Sequence, residues 1–236
     1  MSTITFDIEV AGLPWEEVDE STRDYLKRRE RDPSRREAVK DRLALYPGLG
    51  KVIAIGMRSS GEKQGTILLE GPEEVELQAW DKVPGASVYR GSEAQLLAKF
   101  WQRVAATDGN QAPQLVTYNG RGYDGPVITV RSAQLGIAPS RNLVPDRHAT
   151  DDHCDLMDAF SFFGATRDRY TLDYWCHRFG VASPKSSIDG SQVGAAYLDG
   201  RIEEIGAYCL RDVRATAELF EKVQGSLVPV HVERPH

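Results

Sequence analysis

Residues 3–10 alternate without interruption. Ile4, Phe6, Ile8 and Val10 lie on one face and Thr5, Asp7 and Glu9 on the other, which predicts a half-buried strand. Residues 51–57 (KVIAIGM) are apolar without alternation, as in a strand covered on both faces. GTILLE (65–70) predicts its neighbour across the turn SGEKQG. QLVTYNG (114–120) reads as a strand ending in a glycine-rich turn, and HCDLMDAF (153–160) as a fifth strand. Helical spacing begins at residues 93–106, where Leu96, Leu97, Phe100, Trp101 and Val104 form a stripe behind a capping box of Ser92 and Gln95. Residues 125–136 carry Pro126 in a first turn and Gly136 as a stop; residues 171–180 end on Gly180. Ile205, Cys209, Val213, Thr216 and Phe220 mark a long helix over 201–223. Strands first, then strand–helix alternation, predict the α/β class: a mixed five-stranded sheet flanked by helices.

Length and composition narrow this further. A chain of 236 residues suits one sizeable core, placed at 1–225 with residues 226–236 as a tail. Residues 11–47 break the strand–helix pattern and read as a charged helical insertion, divided at Pro33. Three cysteines (Cys154, Cys176, Cys209) with no CxxC pair argue against a disulfide framework and for a reducing compartment. The first strand starts at once, leaving no room for a signal peptide, and no apolar run approaches a membrane span. A cytoplasmic protein with no membrane partner is expected. The net charge of −6 does not itself point to nucleic acid. It does not exclude it, because a metal-dependent nuclease concentrates acids at its site.

Three segments carry candidate chemistry. Asp7 and Glu9, at i and i+2 of one strand, leave the same face and together can grip a hard cation; an ordinary polar strand face looks the same. Asp124 follows a strand and opens a helix, at the strand end where α/β sheets collect ligands; it can equally be a helix cap. Tyr208 and Asp212, at i and i+4, face one way beside the stripe Ile205–Cys209–Val213, as would any helix-surface pair. Four converging carboxylates repel, and a fold holds them together when cations neutralise them.

In that order, FDIE (6–9), NGRGYD (119–124) and YCLRD (208–212) resemble the motifs of the DEDD 3′→5′ exonucleases, in the branch with tyrosine in the last motif. The chain looks most like the proofreading exonuclease domain of family B DNA polymerases, in its stand-alone, predicted PolB-like form; HCDLMD and PKSSIDGSQV also look like that group. The resemblance runs over about residues 4–223. It implies a ribonuclease H-like fold and two divalent ions, Mg²⁺ or Mn²⁺, on Asp7, Glu9, Asp124 and Asp212. Asp7 would bridge the ions, Glu9 and Asp212 would complete the site of the attacking water, and Asp124 would serve the other ion. Tyr208 would orient that water, and 5′-mononucleotides would leave the 3′ end of single-stranded DNA.

Other residues are weighed beside these. Asn119 and Tyr123 lie in the second motif, and Lys185 lies in a Ser/Pro/Gly-rich loop 23 residues before Tyr208; all three are candidate substrate contacts. A solvated loop lysine is the plain alternative for Lys185. Asp155 is expected to steady the site by hydrogen bonds, or to be a simple strand-end residue. Tyr118, Tyr123, Phe162 and Phe163 could stack on bases, and the two phenylalanines could equally be core. His153, Cys154, Cys176 and His177 lack the close pairing of a structural zinc site. Residues 23–42 hold nine Lys/Arg against five Asp/Glu, either a clamp on a nucleic-acid backbone or a solvated helix pair laced with ion pairs. The same chemistry on RNA or short oligonucleotides, and a non-catalytic binding module, remain open alternatives.

Overall fold

The structure, a computed structural model, describes residues 2–106, 111–185 and 189–230. The chain opens with β1 (Thr3–Gly12), followed by α1 (Glu20–Arg29) and two 3₁₀ segments, Pro33–Arg35 and Glu37–Leu45. Strands β2 (Gly50–Ser59), β3 (Thr66–Glu70), β4 (Val75–Ala79) and β5 (Ser87–Gly91) come next, then α2 (Glu93–Val104), β6 (Gln114–Thr117) and α3 (Asp124–Gln134). After β7 (His153–Asp155) the chain is helical: α4 (Leu156–Phe160), α5 (Leu172–Phe179), α6 (Val193–Leu198), α7 (Ile202–Val223) and α8 (Leu227–Val230).

All the strands join one mixed sheet in the order β4-β5-β3-β2-β1-β6-β7. β1, β2 and β3 are antiparallel neighbours, while β6 runs parallel to β1, and β7 parallel to β6. The sheet has seven strands rather than the five expected from the sequence. The two additions form one edge: β5 is parallel to β3, and β4 is the antiparallel outer strand. Four of the five β4 residues are exposed, so an edge strand with both faces wet leaves no apolar alternation to read. HCDLMDAF also differs. Only His153–Asp155 is strand, because the Asp155 carboxylate caps the next segment, accepting the Met157 amide at 2.9 Å, and starts α4. The second helix of the insertion is 3₁₀, with a break at Arg42. Residues 227–230, assigned to the tail by sequence, form a short helix with Val228 buried, and 231–236 lie outside the described residues. No helix among the described residues is long and apolar enough to cross a membrane.

The remaining elements form where their local chemistry places them. α2 carries the capping box: the Gln95 amide donates to Ser92 Oγ, and the Ser92 amide to Gln95 Oε1. Gly136 (φ 71°) follows α3, and Gly180 (φ 65°) closes α5 in the left-handed conformation that favours glycine. The apolar face of β1 packs with Leu96, Leu97, Phe100 and Trp101 of α2 and with Val127 and Ile128 of α3. The opposite face of the sheet is covered by α6 and α7, through Ile53, Ile67 and Leu69 against Val193, Ile205 and Cys209. The insertion has a small core of its own, Val18, Leu26, Val39 and Leu43, and its neck is closed by the Leu13 amide donating to the Leu49 carbonyl at 3.0 Å.

One position sets how closely α7 approaches the sheet. Gly56 of β2 pairs with Asp7 of β1. A Cβ at Gly56 would meet Val213 Cγ2 at 2.9 Å and Cys209 Sγ at 3.0 Å. The absent side chain lets the helix lie on the strand pair, and the stretch from Tyr208 to Asp212 then passes directly over Asp7 and Glu9. Gly56→Ala should therefore push α7 outward and cost about 1–3 kcal/mol, as overpacking does. Urea denaturation measures it, and an unchanged midpoint would show that this contact has slack.

Candidate active site

The acidic face of β1 opens into the gap between the sheet and α7. Glu9 is buried, and Asp7 is half-buried. Alternation continues to the end of β1, so Ala11 faces the α6–α7 side with Asp7 and Glu9 while Val10 stays in the α2–α3 core; the register shift between Glu9 and Val10 is taken up in β2, where Ile53 is the extra residue. Beyond Thr5, β1 loses β6 as a partner, because their parallel pairing covers only residues 3–5. An amide on that edge then needs an acceptor. Asp124 supplies it: its Oδ1 accepts the Ile8 N–H at 3.0 Å. The carboxylate at the start of α3 thus reaches across to β1, and it is buried there.

The turn that delivers Asp124 is shaped by its backbone. Asn119 is left-handed (φ 67°), and a Cβ on Gly120 would lie 2.5 Å from Thr117. The Gly125 amide donates to the Gly120 carbonyl at 2.7 Å. Asp155 pins the turn from β7, its buried carboxylate accepting the amides of Asn119 (2.9 Å) and Arg121 (3.0 Å) as well as that of Met157.

From α7, Tyr208 and Asp212 enter half-buried, the phenol hydrogen-bonded to the Asp212 carboxylate. Cys209, between them, is fully buried, its thiol donating to the Asp7 carbonyl at 3.4 Å and lying 3.8 Å from Asp7 Oδ2. Ligand atoms of Asp7, Glu9 and Cys209 come within 4.8 Å of one another, the one such group among the described residues. Nothing in the strand and turn patterns flagged Cys209. Its place on the apolar stripe of α7 was legible, but its proximity to Asp7 needs the close approach at Gly56.

The electrostatics follow from burial and proximity. Burial raises the proton affinity of Asp7 most, and the charges of Asp124, Glu9 and Asp212 add to it. Glu9 is raised by burial, then by Asp212 and Asp124. Asp124 is pushed up to about 7 by burial, against the lowering effect of the amide hydrogen bonds it accepts. Asp212 rises to about 6, also by burial, with Tyr208 and Arg211 pulling the other way. Burial and the charge of Asp212 push the Tyr208 phenol well above its ordinary value, so it holds its proton at neutral pH. Each carboxylate is held short of comfortable ionisation, and divalent cations bound among oxygen ligands of this kind remove that penalty.

Other candidates fall elsewhere. Lys185 is exposed and pairs with Asp173 of α5 at 2.8 Å, an acid that also accepts from Ser183. The loop it belongs to does approach the site, since a Cβ on Gly190 would lie 4.0 Å from the Tyr208 hydroxyl. Tyr123 is half-buried and donates to the Ala44 carbonyl of the insertion at 2.9 Å, while Tyr118 donates to the Tyr170 carbonyl. Phe162 is exposed, and the half-buried Phe163 packs on His148 with ring centres 4.5 Å apart. His153 is buried between Thr117 Oγ1 and the Leu143 carbonyl, and burial lowers its pKa to about 4. Among the described residues, His153, Cys154, Cys176 and His177 form no ligand group. Asn119 and Asp155 also line a cavity of about 690 Å³ with Arg121, Arg147, Asp158 and Arg169, where Asp158 pairs with both Arg121 (3.3 Å) and Arg147 (3.0 Å). No spacing signal in the sequence joins these four.

Comparison with known proteins identifies the family and the fold. A family described as "Predicted 3'-5' exonuclease related to the exonuclease domain of PolB" matches residues 51–230. The match takes in Asp124, Asp155, Tyr208 and Asp212, while Asp7, Glu9 and the insertion precede it. No curated protein matches the chain. Among solved structures, the fold is similar to that of the family B DNA polymerase from the hyperthermophilic archaeon Pyrobaculum calidifontis, with a TM-score of 0.56 and 20% identity. That similarity covers 98% of this chain and 25% of the polymerase chain, so the chain spans about a quarter of the polymerase's length. The mixed sheet flanked by helices is accordingly ribonuclease H-like. With the family matched over well more than half its length, the chain belongs to the predicted 3′–5′ exonucleases related to the exonuclease domain of PolB.

Proposed function

We propose that this protein is a metal-dependent 3′→5′ exonuclease that shortens single-stranded DNA from its 3′ end and releases 5′-mononucleotides. The observation that carries the reading is the convergence of Asp7, Glu9, Asp124 and Asp212, from three separate elements, into one gap where burial and mutual repulsion hold their protons. These four oxygen donors fit Mg²⁺ or Mn²⁺. Two such ions supply charge neutralisation, a water of lowered pKa and stabilisation of the leaving oxygen.

The chain's own residues do the rest. Tyr208 keeps its proton and donates it to Asp212, so its oxygen is free to accept a hydrogen bond from the attacking water and position it without serving as its base. Asp212 anchors that phenol while serving as a ligand. Asp155 works through the backbone: by gripping the amides of Asn119 and Arg121 it fixes the turn that aims Asp124. Asn119 and Tyr123 shape the wall beside Asp124, and Lys185, on releasing Asp173, would contact a substrate phosphate.

A degradation assay on 5′-labelled single-stranded DNA and RNA of one sequence, with Mg²⁺ or Mn²⁺, tests the reading. A ladder shortening from the 3′ end on DNA is expected, lost in Asp212→Ala protein with an unchanged circular dichroism spectrum. An active Asp212→Ala enzyme would remove the assignment, and a ladder on RNA alone would move the substrate to RNA. Asp155→Asn, which keeps the shape but loses one acceptor, should lower turnover about 10- to 100-fold; full activity would show that the turn holds itself.

Stability without metal should depend on pH in a set direction. Asp124 and Asp212 bind protons more tightly folded than unfolded, so the folded state carries more protons between about pH 4 and 7. Their contribution is then lost as pH rises through 6 to 7, and in EDTA the thermal midpoint should fall from pH 5 to pH 8. Mg²⁺ or Mn²⁺ should restore it at pH 8, and Asp124→Asn should flatten the fall while its amide oxygen still accepts the Ile8 N–H. A slope unaltered by Asp124→Asn would count against carboxylate strain at the site.

A further inference from the structure

We propose that Asp7, Glu9 and Cys209 form a mixed oxygen–sulfur site for a thiophilic divalent cation, Zn²⁺ or Cd²⁺, and that its occupation switches the carboxylate gap off. The switch rests on the exonuclease reading; the site itself does not. Mg²⁺ and Mn²⁺ are held by oxygen, whereas a thiolate favours softer ions. A thiol set among the carboxylates therefore gives a second class of cation somewhere to bind.

The donors come from β1 and α7 and meet where Gly56 lets the helix approach the strand. Cys209 Sγ lies 3.8 Å from Asp7 Oδ2, and ligand atoms of all three residues lie within 4.8 Å of one another. A tetrahedral zinc ion held at about 2.3 Å by sulfur and about 2.1 Å by oxygen sets those two ligands about 3.6 Å apart. The thiol and the Asp7 carboxylate already stand near that spacing. Glu9 points to a cation independently. It is only 7% exposed, yet its carboxylate accepts no hydrogen bond among the described residues. Asp124 and Asp155, by contrast, each accept backbone amides. A buried carboxylate without a donor is costly, and a metal ion is the partner Glu9 lacks.

The other cysteines supply the contrast. Cys154 and Cys176 are also buried, but in the apolar cluster beneath α5, and neither joins a ligand group among the described residues. Without a cation, the Cys209 thiol donates to the Asp7 carbonyl at 3.4 Å. Binding breaks the S–H bond, forms a sulfur–metal bond and releases the proton to solvent, with no change of oxidation state. The half-buried Asp7 leaves the ion a way in. Once seated, the ion occupies both β1 carboxylates, which are then lost to Mg²⁺ or Mn²⁺.

The site can be tested without cleavage. Cadmium is titrated into the full chain in excess Mg²⁺ while the ultraviolet charge-transfer band of a cadmium–thiolate bond is followed. One such bond per chain is expected. It should vanish in Cys209→Ser protein, whose hydroxyl can still donate to the Asp7 carbonyl. Cadmium affinity should fall about 100-fold, the upper end of what loss of even a supporting group costs a metal site. Cadmium NMR of the wild-type protein, with a resonance shifted toward sulfur ligation, gives the same answer without a variant. In a degradation assay with Mg²⁺, each protein scored against its own zinc-free rate, Zn²⁺ should inhibit the wild type at about 100-fold lower concentration than Cys209→Ser. No band, a cadmium resonance in the all-oxygen range, or a band that survives in Cys209→Ser would overturn the site. Equal zinc sensitivity of the two proteins would overturn the switch. A thiolate band in a protein that cleaves nothing would support the site and remove the exonuclease reading instead.

Discussion

Mutual repulsion among four carboxylates is the constraint on which the rest of this molecule depends. Left to water, Asp7, Glu9, Asp124 and Asp212 would spread apart. The fold instead holds them from three sides, with β1, the head of α3 and the middle of α7, and the cost appears as carboxyl groups that keep their protons well above the ordinary range. Two large apolar interfaces, α2 and α3 on one face of the sheet and α6 and α7 on the other, offset that cost. The acids sit where these layers leave a gap. Nothing in the packing needs them there, so their convergence reads as function rather than stability.

The scaffold's second task is aim. β1 is fixed by nine register pairs to β2 but by only three to β6, and the shortfall on the β6 side is what lets Asp124 dock on the Ile8 amide. Asp155 repeats the device one strand further out, giving its carboxylate to backbone amides of the turn. Asp124 thus bonds backbone on one side of the gap, and Asp155 braces its turn from the other. A loop rich in glycine would otherwise wander.

How far the sequence reveals this depends on which interactions are local. β1, the capping box at Ser92, the stop at Gly136 and the long terminal helix are written in periodicity and turn chemistry, and all appear. The candidate carboxylates were legible because each sits at a defined place on its own element. The edge pair β4–β5 was not, since an exposed strand carries no alternation. Neither was the early end of the HCDLMDAF strand, where one capping aspartate outweighs an apolar run. Cys209 beside Asp7, and the arginines that share Asp158, are tertiary facts: they depend on how helices and loops settle on the sheet, and no spacing along the chain encodes that.

Gly56 shows what such a fact means for the history of a site. It touches no substrate and holds no ion, yet the height of α7 above β1 is set there, and with it the separation of Asp212 from Asp7. Under the proposed function, drift at this position would be policed by catalysis although the residue takes no part in it. In a genetic screen, its variants would sort with those of the acids themselves, and a glycine in mid-strand would be marked as essential by a helix on the far side of its own backbone.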